Sequence, residues 1–438
     1  MKTLIDHVTV LTMDEQDRVL QDGYVLIEGN RIVSLGEGDR PAAYDRYLDG
    51  RQGILMPGMI NTHCHIPMIP FRTMGDDCED RLRRFLFPLE LEAMTPELVY
   101  HASRYAVCEM LLAGVTTVLD MYYFEEQVGA ACRELGIRGF LGQTVMEAPT
   151  CDSKEAYGGL KLAEELLDKW SGDDRIQLVV APHAPYTNSG EMLKKAYDLS
   201  VKYGALFTLH ASEMDHEMKY FREQFGQTPI EYLNDLGILG PNTVAAHCIH
   251  MTEYDLSIMK HNGSRIAHCI GSNMKAGKGA APVKAMLDYG IPVGLGTDGA
   301  SSGNTLDLFA QFKMCAGGQK SRYHDRGVFP AKDIVRLGTL GGARVLGIER
   351  ETGSIETGKQ ADLVLVETRS VNMFPVYNPY SALVYSANAA NVETVFAGGE
   401  MVVHEKKLTQ VDFAEIKHQL SEAMKPFYVH AQKYASMI

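Results

Sequence analysis

The sequence predicts a TIM barrel, a (β/α)8 fold of the α/β class, carrying a small β-sandwich domain formed from the N- and C-terminal segments. Two observations predict it. Between about residues 54 and 347, short apolar, β-branched runs alternate eight times with amphipathic stretches, and both ends of the chain are β-rich instead. A third observation removes the main rival, a doubly wound open sheet, because no glycine-rich dinucleotide fingerprint follows the first barrel run.

Residues 3 to 50 hold strand-like runs at Val8 to Thr12 and Tyr24 to Ile27, with a Gly29-Asn30 turn before Ile32 and Val33. The eight barrel runs follow: Ile54 to Cys64, Thr116 to Met121, Arg138 to Val145, Ile176 to Ala184, Leu206 to Glu213, Thr243 to Ile249, Arg265 to Ile270 and Pro292 to Asp298. Between them, stretches such as Glu97 to Ala113, Glu125 to Leu135, Ala156 to Trp170, Gly190 to Tyr203 and Glu253 to His261 repeat apolar residues every three or four positions, the period of a helix with one buried face. Ala361 to Val366 is again strand-like, Val392 to Ala397 and Met401 to Val403 form a hairpin around Gly398-Gly399, and residues from about 411 to 432 read as an exposed terminal helix. The expected organisation is therefore a composite β-sandwich plus C-terminal helix from 1–53 and 348–438, and a catalytic barrel over 54–347. Two β-rich ends too short to stand alone bury their faces best against each other.

Composition excludes several classes. With 438 residues, 45% hydrophobic and 22% charged, the chain can build a large core. No apolar run reaches the roughly 18 residues of a membrane span and the N-terminus lacks a signal-peptide pattern, so a cytoplasmic protein without a membrane partner is expected. The eight cysteines contain no CxxC pair and several lie in strand-like runs, which suits buried thiols better than disulfides or a zinc cluster. A net charge of −14 argues against a nucleic acid partner.

Polar residues recur at the C-terminal ends of the barrel runs, where barrel enzymes place their chemistry. The first run ends at His63 and His65, the fourth at His183, the fifth at His210 and Glu213, the sixth at His247 and the eighth at Asp298. His63 and His65, one residue apart on a strand, point to the same face and can grip one ion together. With His210 and Asp298 they supply three nitrogens and one oxygen, a donor set for one divalent ion with room for water. Zinc is the default for these ligands, while iron, manganese or nickel suit the same donors. Water acidified by such an ion needs a base beside it, and Glu213, three residues after His210, stands in that place.

The runs Pro57 to His65, Ala181 to Tyr186, Leu209 to Glu213, Ala246 to Cys248 and Leu295 to Ala300, in this order, resemble the amidohydrolase superfamily over nearly the whole chain. Within it, Ser272-Asn273-Met274-Lys275, Gly279 to Val283 and Ser301 to Asn304 are most similar to the deaminases of methylthioadenosine and S-adenosylhomocysteine. The resemblance implies hydrolytic deamination of an amino-substituted adenine nucleoside, with Glu213, His247 and Asp298 as catalytic residues. Glu213 would carry the proton to the ring nitrogen, His247 would polarise the attacking water, and His183 would hydrogen-bond the substrate. Binuclear members carry a bridging lysine at the end of the fourth strand, and Ile176 to Ala184 contains none, so a single ion is expected.

Substrate contacts follow from the same comparison. Glu90 matches the acidic residue that receives ribose hydroxyls in nucleoside deaminases. Arg81 stands about where those enzymes carry a tryptophan, and Gln143 where the homocysteine-recognising ones carry an arginine, which removes a bidentate grip on a carboxylate. The partner expected is thus a small N-heteroaromatic molecule, with a homo-oligomer allowed. A free base such as guanine, a pterin or an aminotriazine is the alternative substrate on the same fold.

Overall fold

The computed structural model describes residues 1–436. Its strands are β1 (Lys2–Leu11), β2 (Val19–Glu28), β3 (Arg31–Gly36), β4 (Arg46–Pro57), β5 (Met59–Cys64), β6 (Val115–Tyr122), β7 (Arg138–Val145), β8 (Ile176–Pro182), β9 (Phe207–Ala211), β10 (Thr243–His247), β11 (Arg265–His268), β12 (Val293–Leu295), β13 (Leu363–Val366), β14 (Val392–Ala397), β15 (Glu400–His404) and β16 (Lys407–Leu408). β5 to β12 form an eight-stranded parallel sheet in sequential order, separated by helices, and curl into a nearly closed barrel. Both faces of such a sheet are covered, which is why its strands read as continuous apolar runs. Ile60, Leu119, Phe140, Val179, Val244 and Ala267, one from each of six strands, fill the barrel interior with Ala343, Val345 and Leu346 of the helix Leu340–Leu346 and its edge.

The seam between β12 and β5 is sealed by polar contacts. The Asp298 amide donates to His63 O at 3.1 Å, and the Asn61 side-chain amide donates to Thr297 Oγ1 at 2.7 Å. Closure at the upper rim therefore brings the first and last strand ends together, and with them His63 and Asp298.

The run Ile54 to Cys64 divides into two strands. Ile54 to Pro57 belong to β4 and pair with β13, and the barrel strand begins only at Met59. Gly58 makes the step: a Cβ there would lie 2.3 Å from Thr116 Oγ1, and its amide donates to Asp362 O at 2.8 Å. The chain passes from one sheet to the other where only glycine fits.

The terminal segments together form the separate β-domain expected, its strands joined in one continuous ladder, β16-β15-β14-β13-β4-β1-β2-β3. The antiparallel pairing of β4 with β13, for instance Leu55 with Leu365, runs both termini into one ladder. That ladder curls around a shared cluster of Ile5, Val8, Val25, Ile27, Leu363, Leu365 and Phe396. The helix Phe413–Ala431 is half-covered, contrary to the exposed helix expected. Ile416, Leu420, Phe427 and Ala431 are buried, and the Phe427 ring lies 4.9 Å from that of Phe71. Its apolar stripe seats it on the barrel. Among the described residues no helix is long and apolar enough to cross a membrane, and no cysteine is paired.

Candidate active site

A cavity of about 820 Å3 opens at the carboxyl ends of β5 to β12. His65, Arg81, Glu90, His183, His210, Glu213, His247 and Asp298 all line it. His63 lies fully buried beneath, its ring 4.9 Å from those of both His65 and His210. Only Gln143 is set apart: it is buried behind the wall, where its amide donates to Asp152 Oδ2 at 2.8 Å.

Backbone groups aim the histidines. His65 Nδ1 donates to Met121 O on β6 at 2.6 Å, which turns Nε2 toward Asp298 Oδ1, 3.2 Å away. His210 Nδ1 donates to His183 O, also at 2.6 Å. Such second partners fix tautomer and ring plane and leave the other nitrogen for a ligand. Ile66 N donates to Asp120 Oδ1 at 2.6 Å and pins the turn after His65. The strands end earlier than their apolar runs suggested, because His247 and Asp298 take left-handed backbone, φ 69° and 59°, with Ser212 before Glu213 at 50°. Non-glycine residues in that region are strained and concentrate at functional sites.

The ligating atoms of His63, His65 and His210 lie within 4.8 Å of one another. Both ring nitrogens of His63 are buried without a hydrogen-bond partner. An unpartnered buried polar atom is costly, and a metal ion would satisfy one of these two nitrogens, so these residues fit one. His63, His247 and Cys269 meet the same spacing, but this second group shares His63 and would need a thiolate where burial pushes the Cys269 thiol well above its ordinary range.

Burial, then the neighbouring rings, holds His63 well below the usual imidazole range and keeps it neutral, as a ligand must be. Burial likewise lowers His210 to about 4. His65 differs: burial opposes its charge, yet the Asp298 carboxylate outweighs it and raises the ring to about 9. With no ion a proton therefore sits between His65 and Asp298, and a cation would displace it.

Glu213 is anchored from below. The buried Glu217 accepts from the amides of Ser212 and Glu213 at 3.0 and 2.8 Å. The Glu213 side chain lies with His247 Nε2 3.7 Å and Lys278 Nζ 2.5 Å from Oε1. Burial pushes this carboxyl up, but His247 and Lys278 outweigh it and hold it at about 2. His247 is fixed in turn by Asn273, whose Oδ1 accepts from Nδ1 at 2.8 Å. Glu90, on the helix Phe87–Ala93, has its Oε1 bonded by the Tyr122 hydroxyl at 2.8 Å, and burial raises it to about 7. The arginine of the Arg81 to Arg84 run that reaches deepest into the site wall is Arg81 itself. It donates to Ser301 O at 2.8 Å and clamps the loop that follows Asp298.

Lys278, Tyr122 and Asp152 escaped sequence reasoning. Asn273 stood inside a motif with a family likeness, but its bond to His247 depends on where the helix Ile270–Lys275 after β11 packs. Nothing in spacing signals Lys278, which sits 65 residues from the carboxylate it meets.

The Amidohydrolase family model matches residues 54–402. The chain belongs to this family. It is 38% identical over 423 residues to a 5-methylthioadenosine/S-adenosylhomocysteine deaminase of Syntrophus aciditrophicus, covering 95% of this chain and 96% of that protein. It is 36% identical over 393 residues to a 5'-deoxyadenosine deaminase of Methanothermobacter thermautotrophicus, covering 89% and 91%. Among solved structures, an adenosine deaminase from Xanthomonas campestris with bound zinc superposes at a TM-score of 0.93 with 29% identity, over 98% of each chain.

Proposed function

We propose that this chain is an adenine nucleoside deaminase, a hydrolase acting on the C–N bond of a cyclic amidine, and that it works with one divalent metal ion, zinc by default. The observation that carries the reading is the meeting of the His63, His65 and His210 rings with Asp298 at the cavity floor, with His247 packed against His210 and Glu213 next to His247. Relatives named for adenine nucleosides over nearly the whole chain support the substrate class. His63, His65, His210 and Asp298 would hold the ion. When bound, it supplies a Lewis acid that lets water lose a proton near neutral pH.

The remaining chemistry belongs to this chain's residues. Glu213 accepts the proton from water and delivers it to the ring nitrogen beside the amine-bearing carbon. His247, oriented by Asn273, directs Nε2 at the oxygen that attacks that carbon. His183 hydrogen-bonds the ring, Glu90 receives the ribose hydroxyls, and Arg81 holds the wall beside Asp298. One water is consumed: its second proton passes from the added hydroxyl to the amino group as the C–N bond breaks, so ammonia leaves and a ring carbonyl remains. Ammonia release should be screened over methylthioadenosine, 5'-deoxyadenosine, adenosine, S-adenosylhomocysteine and guanine, with metal content measured on the same preparation. Glu213→Gln should lower kcat by about 100-fold or more with metal content unchanged. Undiminished turnover in that variant, or activity on the free base alone, would overturn the reading.

A further inference from the structure

Lys278 has no part in the reaction described so far, yet it makes the closest approach to its proton carrier. It stands on the loop after the helix Ile270–Lys275, with its backbone amide donating to Asn273 O at 2.9 Å. Its side chain is 20% exposed at the cavity mouth, and Nζ lies 2.5 Å from Glu213 Oε1. Among the described residues this is the hydrogen bond that the Glu213 carboxylate receives. Lys275, three residues earlier, is otherwise committed, since it bonds Asp76 at 2.6 Å, Asn304 at 2.9 Å and Ser301 O at 3.1 Å. The lysine that ends the helix and the one on the loop after it thus serve different purposes.

Glu213 needs such a partner. Its backbone is held by Glu217, but three rotatable side-chain bonds separate that anchor from the carboxylate, and His247 at 3.7 Å is too far to fix them. We propose that Lys278 is a positioning residue: its ammonium holds Glu213 Oε1 in one orientation and so leaves Oε2 facing the ring and the attacking water. The inference rests on the deaminase reading above.

Lys278 does not serve by reading the substrate. The edge of adenine that Glu213 meets offers a ring nitrogen, which Glu213 itself protonates, and an amino group, which is a donor. A second donor opposite that amino group gains nothing. A Cβ at Gly277 or Gly279, on either side of Lys278, would meet no atom within 4 Å, so the flanking backbone is not packed against neighbours there.

Lys278→Met and Lys278→Arg should be compared with the metal-loaded wild type for kcat and KM on whichever adenine nucleoside it turns over, with metal content and thermal unfolding measured alongside. A misplaced reacting group of this kind costs about 10- to 100-fold in kcat. Lys278→Met should show that loss with KM within about 2-fold, and Lys278→Arg should recover most of it, because a guanidinium keeps a charged donor within reach. Three outcomes overturn the proposal while the deaminase reading stands: an unchanged kcat in Lys278→Met, a rise in KM with kcat intact, or no recovery in Lys278→Arg at wild-type metal content and stability. A wild type that releases no ammonia from any adenine nucleoside overturns the deaminase reading and this proposal with it.

Discussion

Replacing Glu90 by glutamine removes one buried charge and keeps the shape of the side chain, so its effects on stability and on activity can be worked separately. Glu90 is raised from 4.5 to about 7, first by burial, with the Tyr122 hydrogen bond opposing. A displacement of that size corresponds to about 3 kcal/mol. The sign follows from linkage: a carboxyl whose folded value lies above its unfolded value gives up its proton in the unfolded chain first. Stability is then lost as pH rises from 4.5 through 7. Glu90→Gln does not titrate and still accepts from Tyr122 through its amide oxygen. It should be more stable than the wild type by about 3 kcal/mol at pH 8.5 and indistinguishable from it near pH 4. Activity should move the other way. Two ribose hydroxyls donating to a carboxylate lose one charge-assisted bond on amidation, about 2 kcal/mol or about 30-fold in kcat/KM. The wild-type kcat/KM should rise with pH through about 7 as Glu90 ionises, and the variant should lack that limb. Thermal unfolding at pH 4 and 8.5, together with steady-state ammonia release from pH 6 to 9, measures both. Equal stability of the two proteins at pH 8.5 would refute the burial argument, and an unchanged kcat/KM on nucleosides would refute the ribose contact.

The metal-free protein should carry the signature of the His65–Asp298 proton. His65 is raised from 6.5 to about 9, so its contribution is fully present below pH 6.5 and lost as pH climbs through 9; after chelation the unfolding temperature should fall across that window, and restoring zinc should flatten it. A flat profile without metal would remove the basis for that ion pair. The wall behind β7 should select among nucleosides: Gln143 spends its amide on Asp152, an acid, and offers no cation to a carboxylate. S-adenosylhomocysteine should be turned over at least about 10-fold less efficiently than methylthioadenosine, measured as kcat/KM, and equal efficiency would show that another group takes its carboxylate.

The amino-acid sequence alone determined the barrel, because a buried parallel strand writes itself as an apolar run and a helix as a three-and-four repeat, and these signals are local. Several element bounds were legible to the residue, as with the helices Glu125–Leu135 and Gly190–Tyr203 and the strand Arg138–Val145. The histidines and acids at the run ends could be picked out for the same reason: a polar side chain closing an apolar run is visible without knowing its neighbours. Tertiary structure decided what depends on residues far apart in the chain. It split the first run at Gly58, where a clash with Thr116 forbids any side chain, and joined both termini through β4 and β13 into one sheet. It also turned Gln143 toward Asp152 and set Lys278 against Glu213. Each of these two contacts involves a loop residue, and loop direction carries no periodic mark in sequence because it is fixed by backbone hydrogen bonds and packing that form only once the barrel closes.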